Sequence, residues 1–308
     1  MSVPAATASS LFLNFPARAY LEKYYRAVGE ENAAMLRAIL AGLPRPAAVS
    51  PRVIEVGGGP SLFSLMALAA SQRRCFRRVT FTDIATANLA EVRWWLDDDP
   101  RQFDYRELLS WLDAEAGAHP LVVTESLRAS PWDLVHFDWL ASDAPNWHGA
   151  FDIVSSHFFA ESATDHREEL LDLLGKIARL GRRGATVVLS FLCRSHGYRV
   201  DCQEFPAFPL EHDSVLEVLG EAGLTLVEPQ VRATPTEDPD SHPGYDGMVF
   251  VAGRLACAPA DGKHAGFSPR APGLLGRPRG SRPPLSPSNG SRPRSSSSRP
   301  RSPPDHRS

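Results

Sequence analysis

The chain has 308 residues, 43% of them hydrophobic, which is enough for one full α/β domain with a buried core. No apolar run approaches the ~18 residues that mark a membrane span, so no transmembrane helix is indicated; four cysteines (Cys75, Cys193, Cys202, Cys257) without CxxC spacing read as reduced thiols of a cytoplasmic protein rather than as a zinc site or disulfide framework. The net charge of −3 conceals a split, because from Cys257 onward ten Lys/Arg stand against two Asp, leaving 23 basic and 34 acidic groups before it.

The opening "MSVPAATASSLFL" lacks a basic n-region, and its apolar run is too short for a signal peptide. Next, "FPARAYLEKYYRAVGEENAAMLRAILAGL" (15–43) predicts helix and carries Tyr20, Tyr24 and Tyr25. Tyr20 and Tyr24 stand at i, i+4, a spacing that also serves plain core packing. "RVIEVG" (52–57) predicts a strand that runs into three glycines and a helix over 61–71. There follow a strand "RVTFTD" (78–83), helices over 86–97 and 106–116, and strands "LVHFDW" (134–139) and "FDIVSSHF" (151–158). A helix over 165–180, a strand "ATVVLSFL" (185–192), a helix over 213–222 and strands "TLVEPQVR" (225–232) and "GMVFVAGRL" (247–255) complete the pattern. The alternation predicts a mostly parallel sheet with helices on both faces, ended by an antiparallel hairpin of the last two strands. Residues 258–308 are rich in Pro, Ser, Arg and Gly, a composition that predicts disorder. A polybasic arm suits nucleic acid or acidic membrane, but Phe267 is its only aromatic, so it lacks stacking platforms and reads as a solubilising extension.

The turn "VGGGPS" joins the first strand to a helix, and such turns aim backbone N–H groups at a ligand. Gly57 and Gly59 form half of a dinucleotide fingerprint, but Leu62 stands at the third glycine position. A ligand without pyrophosphate explains the substitution, since the helix then need not approach phosphates closely. Glu55, two residues before Gly57, disfavours phosphate and suits a cation, while Asp83 at the end of the second strand suits ribose hydroxyls. No Gly-Lys-Ser/Thr is present here, which excludes Walker-type phosphate binding. S-adenosylmethionine, a nucleoside with a sulfonium and an amino-acid end, fits these features; a tight turn without a ligand is the alternative.

"NFPARAYLEKYY", "VIEVGGGPS", "FTDIATANLAEVRWWL" and "FDYRELLSWL" together resemble the nicotinamide / phenylethanolamine / indolethylamine N-methyltransferase family over residues 14–255. The resemblance implies a Rossmann-like class I methyltransferase fold with a mostly parallel seven-stranded sheet, and S-adenosylmethionine as cofactor. It also implies a domain over 1–257 with an N-terminal helical lid (14–43) and a separate tail (258–308). By position, Tyr20 and Tyr25 resemble tyrosines that close over cofactor and substrate, with Tyr24 between them on the substrate side. Gly57, Gly58, Gly59 and Ser61 match the turn under the cofactor's methionine portion, and Asp83 with Asn88 matches the ribose-binding pair. Asp138 matches the acidic residue that takes the adenine amino group, with Trp139 beside it. Glu161 matches a carboxylate that some members use to hold the substrate amine. Tyr198, Asp201 and Asp246 fall where other members contact substrate. Phe63 replaces a cofactor-touching tyrosine, and Phe191 replaces an aspartate of nicotinamide-type members, which argues against nicotinamide as substrate.

Methyl transfer from a sulfonium needs neither a metal nor an acid for the leaving group; it needs an in-line, unprotonated nucleophile. A carboxylate beside an amine raises the amine's pKa, so Glu161 is expected to orient the amine and accept its proton after attack. Glu161 and Asp246 are the expected amine-binding carboxylates, and His157 is either a proton acceptor or a hydrogen-bonded structural residue. The expected partner is a small-molecule amine, with no membrane or nucleic acid for the folded domain, and the chain is expected to act as a monomer. An NAD-dependent oxidoreductase is disfavoured by Leu62 and Glu55. An oxygen-directed methyltransferase and a catalytically silent binding protein of the same fold stay open.

Overall fold

The computed structural model describes residues 11–43, 49–236 and 244–256; the basic stretch expected to be disordered, and its boundary at 257/258, lie outside them. Helices α1 (Ala17–Tyr24) and α2 (Glu30–Gly42) precede β1 (Arg52–Val56), α3 (Phe63–Gln72), β2 (Arg78–Asp83) and α4 (Thr86–Leu96). Next come α5 (Arg106–Ala116), α6 (Pro120–Arg128), β3 (Trp132–His136), β4 (Phe151–His157), α7 (Arg167–Leu180) and β5 (Gly181–Cys193). A hairpin of β6 (Gly197–Val200) and β7 (Gln203–Pro206), then α8 (Val215–Glu221), β8 (Leu226–Pro235) and β9 (Gly247–Leu255), end the described chain.

The seven-stranded sheet has the order β3-β2-β1-β4-β5-β9-β8. The first five strands pair in parallel, and β9 inserts antiparallel between β5 and β8. The chain steps outward from β1 to β3 and then returns to the other side of β1 with β4. That reversal opens a crevice beyond the carboxyl ends of β1 and β4, where a ligand meets the loops.

Two apolar layers hold the sheet. On one face Val53, Ile153 and Val188 pack with Leu36 and Ile39 of α2 and Leu65, Met66 and Leu68 of α3. On the other, Ile54, Val154 and Val187 meet Leu170, Leu173, Leu174 and Ile177 of α7. The α7 spacing i, i+3, i+4, i+7 makes one apolar stripe, and burying each such side chain stabilises the fold by about 1.5–3 kcal/mol. Lys176 on the same helix is buried, ion-paired with Asp172 at 2.7 Å, and donates to the Trp139 carbonyl at 2.7 Å. It thereby fastens a loop of the crevice.

The expected α/β sheet and the closing hairpin are present, with differences at particular elements. The helix expected over 15–43 divides, because Tyr25 ends α1 and Asn32 Nδ2 donates to the Tyr24 carbonyl at 2.7 Å across the break. The third strand occupies 132–136 rather than 134–139. Pairing stops where the Phe137 N–H donates to the Asp83 carbonyl, so Asp138 and Trp139 lie in the loop beyond it. Helix α6 was not expected; Pro120 at its first turn and the His119 ring accepting the Leu121 N–H start it. No helix among the described residues is long and apolar enough to cross a membrane.

Candidate active site

The glycine turn is built by close approach. Gly57 and Gly59 hold φ of 61° and 62°, the left-handed region that glycine adopts without a Cβ clash. The Gly57 and Gly58 N–H groups donate to Thr82 Oγ1 (3.4 Å) and the Thr82 carbonyl (3.1 Å). Thr82 Oγ1 donates to the Glu55 carbonyl and accepts from Trp139 Nε1, both at 3.0 Å, so one hydroxyl ties β1, β2 and the Trp139 loop. A Cβ on Gly57 would lie 2.1 Å from the Phe159 ring, and one on Gly58 2.3 Å from Phe81, whereas one on Gly59 meets nothing within 4 Å. Ser61 Oγ then accepts the Phe63 N–H at 3.1 Å at the entry to α3.

Asp83 Oδ2 accepts the Gly59 N–H at 2.8 Å, and Oδ1 accepts the Ala85 N–H at 2.7 Å and Asn88 Nδ2 at 3.0 Å. Burial pushes the Asp83 carboxyl up from its ordinary value, and these hydrogen bonds oppose that. Asn88 Oδ1 is buried and without a protein partner among the described residues, so it is an acceptor waiting for a hydroxyl. Asp138 Oδ1 accepts the Leu140 and Ala141 N–H groups at 3.0 and 3.1 Å, which fixes its direction.

These groups line a cavity of about 930 Å³, together with Gly57, Gly58, Ser61, Tyr20, Tyr25, His157, Trp139 and Tyr198. A second cavity of about 1410 Å³ shares Tyr20, Tyr25, Phe158, Ser162 and Tyr198 with it and adds Tyr24, Glu31 and Tyr245. Burial raises the phenol pKa of Tyr20, Tyr25 and Tyr198, so all three are neutral donors at pH 7. Helix α1 is anchored by Arg18, whose Nε and Nη2 reach both carboxylate oxygens of Glu91 on α4 at 2.9 and 2.6 Å.

The lining brings together the expected tyrosines, glycines, Ser61, Asp83, Asn88, Asp138, Trp139 and His157, with Tyr24 on the second cavity only. It does not bring in three expected carboxylates. Asp201 sits at φ 51° in the tight turn between β6 and β7, which sends it to solvent. Asp246 is exposed and ion-paired with Arg194 at 3.2 Å. Glu161 is fully buried, lines neither cavity, and accepts the Leu192 N–H at 2.8 Å with Oε1, while Oε2 has no partner among the described residues. Burial pushes its carboxyl up to about 8, so it is protonated at neutral pH and is no charged anchor for an amine. Phe191 is likewise buried among core side chains on the α7 side of the sheet. His157 does reach the first cavity, but burial lowers its pKa to about 3, and its ring is neutral. Sequence reasoning missed Phe158, Phe159, Glu31 and Tyr245. The aromatic pair at the end of the fourth strand run, level with the glycine turn, was the readable sign; Tyr245 donating to Glu31 at 2.7 Å joins distant segments and left none.

The folded chain keeps the Glu161 proton up to about pH 8, whereas the unfolded chain releases it in the ordinary carboxylate range. Stability is therefore full below that range and declines as pH rises toward 8. Glu161→Gln imitates the protonated form. Its thermal midpoint is expected to match the parent at about pH 5 and to exceed it by at least ~4 °C at about pH 8.5. Parallel curves at both pH values would remove the neutral-carboxyl assignment.

The arrangement fits a nucleoside with a cationic end. The open Gly59 face, the spare Asn88 acceptor and the aromatic Phe137–Trp139 flank each offer a distinct contact. The sequence profile described as the NNMT/PNMT/TEMT family matches residues 4–255. Nicotinamide N-methyltransferase of Homo sapiens is 25% identical over 226 residues, covering 69% of this chain and 83% of that protein. Indolethylamine N-methyltransferase of Mus musculus is 24% identical over 214 residues, covering 66% and 76%. Among solved structures, a 1,6-didemethyltoxoflavin-N1-methyltransferase of Burkholderia thailandensis superposes with a TM-score of 0.46 at 16% identity, covering 83% of this chain and 94% of that one.

Proposed function

The chain belongs to the NNMT/PNMT/TEMT family and is an S-adenosylmethionine-dependent N-methyltransferase, and from that premise we propose that its acceptor is a small-molecule amine received in the tyrosine-lined second cavity. The observation that carries this reading is the sharing of Tyr20, Tyr25, Phe158, Ser162 and Tyr198 by the two cavities, which supports an acceptor site beside the cofactor site. Bound in the first cavity, S-adenosylmethionine supplies an activated methyl group. Asp83 and Asn88 are suited to its ribose hydroxyls, Asp138 to the adenine amino group, and the glycine turn to the amino-acid end.

What the protein then does is mostly positioning. Well-oriented reactants lower a barrier by up to about 7–11 kcal/mol, and the neutral phenols of Tyr20, Tyr25 and Tyr198 wall off water without placing a negative charge beside the amine. Neutral Glu161 behind the wall has the same consequence: it adds no charge that would raise the amine's pKa and hold more of it in the protonated form. Glu22, Glu31 and Glu107 are the carboxylates lining the acceptor side, and Glu31, held by the Tyr245 hydroxyl, is the one suited to orient the far end of the molecule. We place the enzyme in the cytoplasm, where Cys75, Cys193 and Cys202 stay as the free thiols they are here. We take it to act as a monomer on small molecules rather than nucleic acid, with 1–257 as the methyltransferase domain and 258–308 as a dispensable extension.

The test is calorimetric titration of S-adenosylmethionine into the full chain, followed by transfer of labelled methyl to panels of small amines and phenols. Micromolar binding and labelling confined to amines are expected, with turnover unchanged when 258–308 are deleted. Labelling of phenols alone, or no binding by folded protein, would overturn the reading.

A further inference from the structure

The parallel register of the sheet sets one polar row across the carboxyl end of its α2–α3 face. Glu55 of β1 pairs with Ser155 of β4, and His157 of β4 pairs with Ser190 of β5. Ser155 and His157 are two residues apart on one strand, so their side chains leave the same face. The contacts are made: Ser155 Oγ lies 3.0 Å from His157 Nε2, and Ser190 Oγ lies 2.7 Å from His157 Nδ1. At the other end the Ser155 hydroxyl, with that of Ser64 from α3, hydrogen-bonds the Glu55 carboxyl. Glu55 and His157 line the 930 Å³ cavity, whereas Ser190 lines a separate groove of about 250 Å³ beside Arg232 and Thr234 of the exposed strand β8. Nothing in the proposed chemistry uses Ser155, His157 or Ser190.

We propose that the row Glu55–Ser155–His157–Ser190 carries a proton between the cofactor cavity and the outer groove, with His157 as the positioning residue that couples its own tautomer to the charge of Glu55. When Glu55 is neutral, its O–H donates to Ser155 Oγ, the Ser155 hydroxyl donates to Nε2, and Nδ1–H donates to Ser190 Oγ. When Glu55 is ionised, every hydrogen in the row has moved one place. The Ser155 hydroxyl then donates to the carboxylate, Nε2–H donates to Ser155 Oγ, and the Ser190 hydroxyl donates to Nδ1. The O–H bond of Glu55 has broken, one proton has left Ser190 for water in the groove, and no other charge has changed.

Two features support this. Burial raises the Glu55 carboxyl to about 7, so it changes charge near neutral pH, and it lowers the His157 ring to about 3, so the ring passes the proton by exchanging tautomers rather than by becoming charged. Glu55 Oε2, which has no partner among the described residues, is placed to receive a cation that enters the cavity. The other titratable groups facing this space are Tyr20, Tyr25 and Tyr198, neutral throughout, and Asp83 and Asp138. The link to ligand binding rests on the S-adenosylmethionine reading; the row itself does not.

The experiment is nitrogen NMR of the full chain labelled at histidine ring nitrogens, with His157→Gln to assign the signals. As pH rises, His157 is expected to stay neutral and to switch from the Nδ1–H to the Nε2–H form with a midpoint near 7, the carboxyl's own value. Glu55→Gln should abolish the switch, and adding S-adenosylmethionine about one unit below the midpoint should induce it. A tautomer that does not change with pH, or a switch that persists in Glu55→Gln, overturns the row. Ligand that binds, as seen by calorimetry, without moving the tautomer overturns its coupling to the cofactor. A pH switch with no binding at all leaves the row standing and removes the cofactor reading instead.

Discussion

Asp83→Ala is expected to weaken S-adenosylmethionine binding at least ~100-fold, while the chain retains its fold. The carboxylate serves three donors at once: the Gly59 N–H, the Ala85 N–H and the Asn88 amide. Its removal leaves these groups unpaired at the point where the glycine turn meets α4, and hydrogen bonds to a charged group are worth about 1.5–3 kcal/mol each. It also deletes the acceptor suited to a ribose hydroxyl and frees Asn88 to rotate, so the cost to binding exceeds that of a single contact. About 3 kcal/mol is a little over 100-fold in Kd. Asp83→Asn keeps the shape and one acceptor, and is expected to fall between. Calorimetry on both variants, with circular dichroism to confirm folding, decides the matter. Parent-like affinity in Asp83→Ala would detach the ribose role from this residue.

The second large effect separates two glycines that look alike in sequence. Gly57→Ala is expected to destabilise the protein by about 2–4 kcal/mol, from the left-handed backbone and from overpacking. Its Cβ would sit 2.1 Å from Cδ2 and 2.2 Å from Cγ of Phe159. A clash at Cγ is not relieved by turning the ring, so the Phe158–Phe159 segment or the turn itself must move. Gly59→Ala shares the positive φ but meets nothing within 4 Å, so its stability cost is expected to be only about 1 kcal/mol. Its methyl group instead projects at the ligand, and a loss of at least ~10-fold in cofactor affinity is expected there. Urea denaturation and cofactor titration of the pair give the comparison. Equal stability losses would mean that Phe159 does not press on Gly57 in solution.

Much of the molecule was legible along the chain, because it is encoded by local spacing. Strand and helix alternate with the periods of a parallel sheet, and helix α5 was expected at its observed limits, 106–116. The glycine turn, Asp83 at the end of β2 and Asn88 one helical turn later form a unit of consecutive elements, and they meet as expected. Resemblance to an N-methyltransferase family rested on those same segments. Acidic side chains in loops were where reading failed. Asp201, Asp246 and Glu161 were grouped by resemblance, yet a two-residue turn, an arginine and a buried backbone amide took them elsewhere.

The sequence by itself therefore determined the fold class, the cofactor turn and the family, since each is written in residues close together in the chain. Only the tertiary structure decided which carboxyls are charged and which face a cavity, because burial and desolvation depend on what packs around a group. Glu55, Ser155, His157 and Ser190 come from three strands, and apart from Ser156 their neighbours along each strand are apolar sheet residues. The strand period of two puts only Ser155 and His157 on one face and says nothing of Glu55 or Ser190. The register of β1, β4 and β5 alone sets them side by side.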